Sequence, residues 1–203
     1  MNPWDVQITK DQWANFLRHD FANGSRQLAF KEIDAERKKI DHVPTVLEIG
    51  FGQAFDYAVF FKRLQEAGEI EYTGSDITEQ FVQYANETYG PHFVVGNFQG
   101  IAGQFDITYT RHTFEHQSPE QWQKDLACML AATTRMAVIT WFIPPAKEAR
   151  YHWAENQWLG QGAWVNQYAE ADVMGVIAKA GFWAMSIPSE QNNKVYVCRR
   201  RVQ

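Results

Sequence analysis

Residues 46–56 read V-L-E-I-G-F-G-Q-A-F-D: a short apolar run, two glycines one position apart, then the start of a helical pattern. A chain that passes from strand to helix through Gly50 and Gly52 needs backbone shapes, or a close backbone approach, that side chains resist. In an open parallel sheet, ligands bind just beyond the C-terminal strand ends, so this turn is where a site is expected. A dinucleotide fingerprint needs a third glycine at position 55, which is Phe55, and a P-loop needs Gly-Lys-Ser/Thr, which is absent here.

Working outward, short β-rich runs alternate with helical stretches. Strands are expected at Thr45–Ile49, Ile70–Ser75, His92–Val95, Phe105–Tyr109 and Met136–Phe142, with helices at Phe55–Ala67, Glu79–Tyr89 and Pro119–Thr133. Such alternation predicts a parallel sheet covered by helices, the α/β class. Residues 97–104 leave no room for a full crossover helix. The tail reads as a helix at Glu170–Ala180, a Gly181 cap, and strands Phe182–Ile187 and Lys194–Arg199, joined too closely to be parallel. Ahead of the sheet, residues 1–42 read as two helices. Thr9–Gln12 forms a capping box before Trp13, Phe16, Leu17 and Phe21, and Ser25 caps a helix carrying Leu28, Ala29, Ile33 and Ile40.

At 203 residues the chain is expected to form one domain, with enough core to fold without disulfides or metal. A hydrophobic content of 45% and a charged content of 21% exclude a disordered chain. The net charge of −5 argues against nucleic-acid binding. The basic runs Arg37–Lys39 and Arg199–Arg201 are expected to be solvated surface. Cys128 and Cys198 lack metal-ligand spacing and read as reduced core thiols, which points to the cytoplasm. No secretory signal is seen, and the longest apolar stretch, Met136–Pro145, is too short to span a bilayer.

The segment Glu48-Ile-Gly50-Phe-Gly52 resembles the first motif of class I S-adenosylmethionine-dependent methyltransferases, E-x-G-x-G-x-G, with Ala54 in place of the third glycine. The resemblance runs through residues 43–200. It implies a Rossmann-like, doubly wound, mostly parallel seven-stranded sheet ending in an antiparallel hairpin, with residues 1–42 as a helical lid over a 43–203 cofactor-binding domain. It implies S-adenosylmethionine as cofactor and S-adenosylhomocysteine as product. Gly50 and Gly52 would lie against the methionine part, Glu48 near its amino group, and Ala54 would narrow the loop by one methyl. In Tyr72–Thr78, Asp76 would accept the ribose hydroxyls and Ile77 cover the adenine, while the local reading of Asp76 is a cap for the helix near Thr78. In Val94–Gly100, Asn97 would meet the adenine amino group with Phe98 beside it, or serve only as a turn residue next to Gly96.

Phe105–Pro119 resembles the family's F-D-x-x-x-S-R-H-x-x-E-H segment beside the transferable methyl, which brings in Arg111 for the cofactor and His112, Glu115 and His116 as catalytic candidates. An imidazole is a competent base near neutrality. His116 is the expected base, the bland reading being that it packs beside the cofactor. No metal is expected, because further ligands are missing. Residues 144–166 follow the fifth strand, and Tyr151, Trp153, Trp158 and Trp164 there either wall a small-molecule substrate or anchor the loop. Neither the motif of methyltransferases acting on DNA amino groups nor a Pro-Cys nucleophile is present. The resemblance thus implies methyl transfer to an oxygen or nitrogen of a small metabolite. Its alternative is a methyltransferase-like domain that binds cofactor or a partner without turnover.

Overall fold

The computed structural model describes Thr9 and residues 24–156, 161–189 and 193–201. The first expected helix, with Trp4 and Trp13, therefore lies outside the described residues, as does Trp158. Helix α1 (Gly24–Arg37) buries Arg26, Ala29, Ile33 and Glu36, one face of a helix. It packs on the sheet, so the described part of the expected lid is a core element.

From there the chain runs β1 (Thr45–Ile49), a π-helical turn (Tyr57–Phe61) leading into α2 (Lys62–Glu66), β2 (Glu71–Asp76), α3 (Glu79–Tyr89), β3 (Phe93–Val95) and β4 (Phe105–Arg111). It continues through α4 (Trp122–Ala131), β5 (Thr133–Trp141), β6 (Trp153–Asn156), β7 (Gln161–Trp164), α5 (Glu170–Lys179), β8 (Phe182–Pro188) and β9 (Lys194–Arg200). The seven-stranded sheet has the order β3-β2-β1-β4-β5-β9-β8. Its first five strands are parallel, and β9 and β8 add antiparallel at the far edge, as the sequence predicts. The missing crossover between β3 and β4 is a single 3₁₀ turn, Phe98–Gly100.

Alternation along the strands gives each sheet face its own core. Val46, Ile107, Tyr109 and Val138 face α1 to α3, while Leu47, Ile49, Ile139 and Trp141 face α4 and α5. Each such buried apolar side chain is worth about 1.5–3 kcal/mol. The first core also holds charge. Asp56 accepts from Arg26 Nε (2.7 Å), Arg111 Nε (2.8 Å) and the Tyr109 hydroxyl (2.7 Å). Burial alone would raise its carboxyl, but Arg111 and Arg26 hold it below the usual range.

Two expectations change. Residues 144–166 are more than a loop: β6 and β7 pair antiparallel, with Trp153 opposite Trp164 and their rings edge to face at 5.2 Å. Four-residue strands are too short for alternation to show in the sequence. In the basic runs Lys38, Lys39, Arg200 and Arg201 are exposed as expected, while Arg37 pairs with Asp34 and Glu69 and Arg199 with Glu32 and Glu36. Both cysteines are free thiols, and burial pushes Cys198 up to about 12. No described helix is long and apolar enough to cross a membrane.

Candidate active site

The loop after β1 turns on two left-handed residues, Gly50 at φ +71° and Gly52 at φ +55°. That region costs an L-residue roughly 1–2 kcal/mol. Space is also lacking at Gly50, where a Cβ would lie 2.5 Å from Thr113 Oγ1. Ala54 is left-handed too, at φ +56°. Its methyl is fully buried in the core, so it does not narrow the loop toward a ligand.

Asp76, at the end of β2, holds this loop. Its Oδ2 accepts the Gly52 N–H at 2.9 Å, and its Oδ1 accepts the Thr78 N–H at 2.9 Å. The side chain therefore braces the turn into α3, whose cap position is Thr78 and not Asp76, and the glycine loop as well. Burial still raises its carboxyl above the usual range, against the pull of those amides. A desolvated carboxylate in a cavity wall gains from any ligand that brings hydrogen-bond donors.

The cavity measures about 500 Å³ and opens at the C-terminal ends of β1, β2 and β4. Gly50, Gly52, Asp76, Ile77, Asn97 and Phe98 form one side of it. Ile77 is apolar yet 37% exposed. His112, Thr113 and His116 line it too, with Thr113 packed against Gly50.

No protein-family model and no curated protein matches the sequence. Solved structures do match. The magnesium protoporphyrin IX methyltransferase of Synechocystis PCC 6803, with S-adenosylhomocysteine bound, is similar at a TM-score of 0.66 over 94% of each chain, at 16% identity. CalS10, an amino pentose methyltransferase of Micromonospora echinaspora with S-adenosylmethionine bound, is similar at 0.68 over 97% of this chain and 98% of its own, at 11% identity. The Burkholderia thailandensis 1,6-didemethyltoxoflavin-N1-methyltransferase is similar at 0.62 over 97% and 92%, at 16% identity. This is the class I S-adenosylmethionine-dependent methyltransferase fold.

Within that methyltransferase fold, several residues singled out by sequence stand elsewhere than expected. Glu48 stands two residues from Val46 on the strand and so shares its face toward the core under α1 to α3, where Oε2 takes the Tyr72 hydroxyl at 2.5 Å. Burial and then Asp56 raise its carboxyl well above the usual range, and it does not line the cavity. Arg111 is tied to Asp56 behind the wall. Asn97 lines the cavity, but its Oδ1 accepts the Gln99 and Gly100 N–H groups, so the amide oxygen expected at the adenine is used as a cap.

Glu115 is fully buried and outside the cavity wall. Its Oε1 accepts the Phe142 N–H at 2.7 Å, bracing the turn after β4 against the end of β5. Burial pushes its carboxyl up to about 8. The turn supplies a brace, not a carboxylate for catalysis.

The two histidines do reach the cavity, though not from one helix face. His112 is left-handed at φ +53°, and only Phe114–His116 form a 3₁₀ turn. His116 Nδ1 lies 2.7 Å from the Trp164 carbonyl oxygen. A carbonyl only accepts, so Nδ1 carries the proton and the neutral ring's basic nitrogen is Nε2. Burial lowers its pKa, partly opposed by that carbonyl. His112 Nδ1 instead faces Arg111 Nη1 at 3.5 Å, a group that only donates. Its proton therefore sits on Nε2, and burial followed by Arg111 pushes its pKa to about 3. His112 is neutral, its Nε2 buried without a partner among the described residues, and it is unsuited to act as a base. Both rings flank Phe142, at 5.3 and 5.8 Å between centroids.

The expected aromatic wall is placed differently. Tyr151 and Trp153 are about half exposed and outside the cavity wall, and Trp164 serves His116 through its backbone. Sequence reasoning missed Asp56, Thr113, Gln99, Gln121 and Asp125. Asp56 carried a signal, as the acidic residue closing the glycine loop beside a later arginine. Among the described residues no group of three or more His, Cys, Asp or Glu could hold a metal.

Proposed function

We propose that this chain is an S-adenosylmethionine-dependent methyltransferase acting on an oxygen or nitrogen of a small metabolite. The observation that carries the reading is the clamp of Asp76 on the Gly52 amide at the edge of the cavity, in a fold shared with methyltransferases solved with that cofactor or its product. The residues fit the group. Gly52 has open space where a Cβ would stand, Asp76 presents a desolvated carboxylate for two ribose hydroxyls, and Ile77 offers an apolar face for the purine.

When bound, the cofactor supplies an electrophilic methyl whose bond to sulfur breaks as the bond to the acceptor forms, the electron pair passing to sulfur. This chain's residues align the acceptor and manage its proton. His116 takes that proton on Nε2, its ring held by the Trp164 carbonyl. Glu115 holds the turn that carries both rings, and His112 stays neutral beside the site with its Nε2 buried. Small-molecule acceptors suit a cavity of this volume. The named acceptors of the neighbours, a protoporphyrin, an amino pentose and a toxoflavin precursor, are of that kind.

Label transfer tests the proposal. Protein incubated with methyl-labelled S-adenosylmethionine and a fractionated small-molecule extract is expected to move label into a low-molecular-weight product. Cofactor binding without any transfer would favour the binding-domain alternative.

A further inference from the structure

We propose that the purine edge of the cofactor is read by Gln99, Gln121 and Asp125, and that this trio selects a 6-amino purine over a 6-oxo one. The proposal rests on the methyltransferase reading above and adds to it residues that no motif marks.

Asn97 provides the first half of the argument. Its oxygen is occupied by two backbone N–H groups, at 3.0 and 2.8 Å, so its remaining polar atom, Nδ2, only donates. A donor suits the ring acceptor N1 of adenine and opposes the 6-amino group beside it. That amino group needs acceptors.

The acceptors stand beside Asn97, on its own turn and on the helix start that Gln99 contacts. Asp125, at the start of α4, is only 4% exposed. Its Oδ1 accepts from Gln121 Nε2 at 2.9 Å and from Gln99 Nε2 at 3.2 Å, drawing together the 3₁₀ turn after β3 and the N-terminal turn of α4. Both amides thus turn their nitrogens to Asp125, which leaves their Oε1 atoms as acceptors. Asp125 Oδ2 accepts no bond among the described residues. All four residues line the one cavity, next to the flat ring of Phe98 and the side chain of Ile77. This edge is rich in acceptors, and a 6-oxo purine would bring another acceptor to it. Sites built to receive a hydrogen-bond donor reject an analogue that lacks one, because their own polar groups are left unpaired.

Affinities for S-adenosylhomocysteine and its 6-oxo analogue S-inosylhomocysteine, measured by calorimetry on the whole chain, test this. Native protein is expected to prefer the amino ligand by about tenfold or more, the value of one to two hydrogen bonds. Asp125→Asn, which offers a donor in place of an acceptor, should cut that preference to about threefold or less. Gln99→Leu, at an exposed position, should lower it in the same direction. Equal native affinity for both ligands would overturn the proposal and leave the methyltransferase reading intact. An unchanged ratio in both variants would overturn the assignment to this trio. If S-adenosylhomocysteine does not bind native protein at all, the reading beneath the proposal fails, and the proposal with it.

Discussion

Asp76 Oδ2 accepts the Gly52 amide at 2.9 Å, and this one bond ties the end of β2 to the loop after β1. The carboxylate holds the loop and stands in the cavity wall, so in the proposed site structure and ligand recognition would share one side chain.

Replacing Asp76 by alanine should therefore act twice. The loop loses a buried charge-assisted bond, lowering stability by about 1–3 kcal/mol. Affinity for S-adenosylhomocysteine should fall by far more than the stability change accounts for, at least about tenfold. Calorimetric titration at a temperature where the variant stays folded checks this. Unaltered affinity would remove Asp76 from the cofactor site.

Gly50→Ala tests the turn itself. The substitution meets both a left-handed φ of +71° and a Cβ 2.5 Å from Thr113 Oγ1. Thr113 must move, and the backbone strain alone is worth roughly 1–2 kcal/mol. Chemical denaturation should show at least that loss, whereas Gly52→Ala, with open space around its Cβ, should show the strain alone.

Much of this was legible because its causes are local. The alternation of apolar runs and helical stretches specified the strands, and the Gly50-x-Gly52 turn and Asp76 marked one side of the cavity. Other features depend on partners distant in sequence. Nothing near Glu48 announces that Tyr72 takes its carboxyl, though the two-residue spacing from Val46 already placed it on the core side. Asn97 was read against an expected ligand, yet two backbone amides claim its oxygen first. Glu115 looked catalytic by position, and only the end of β5 shows it to be a brace. The Gln99–Asp125 contact spans a turn and a helix that no local pattern connects.

His116 should govern the rate and not cofactor affinity. His116→Gln should lose about 10²–10⁴ in kcat, the usual worth of a general base, with S-adenosylhomocysteine affinity unchanged. The base must be neutral, and burial lowers its pKa below the free imidazole value near 6.5. Activity should thus be flat at neutral pH and fall only as pH drops below about 6.5. A pH–rate profile whose acid limb lies above neutrality would exclude His116 as the base.

Glu115 makes stability depend on pH. Its folded pKa, about 8, lies above the ordinary glutamate value of 4.5, so the folded state keeps a proton that the unfolded chain releases. Stability from this group is fully present below the unfolded pKa and is lost as pH rises toward the folded one. Glu115→Gln keeps an oxygen for the Phe142 amide and removes the titration. Denaturation midpoints of the variant should vary less between pH 5 and 8 than those of the native chain, by an amount on the order of 1.4 kcal/mol per pKa unit removed. Parallel curves would contradict the buried, protonated carboxyl.

The most direct test of the central claim is thermal unfolding of the native chain with S-adenosylhomocysteine, S-adenosylmethionine and NAD in turn. At about a hundred times its dissociation constant, a ligand that binds only the folded state adds about 2.7 kcal/mol, a rise of roughly 5–11 °C in a domain of this size. The account predicts that rise with the first two ligands and none with NAD. No rise with S-adenosylhomocysteine at any concentration, or an equal one with NAD, would contradict it.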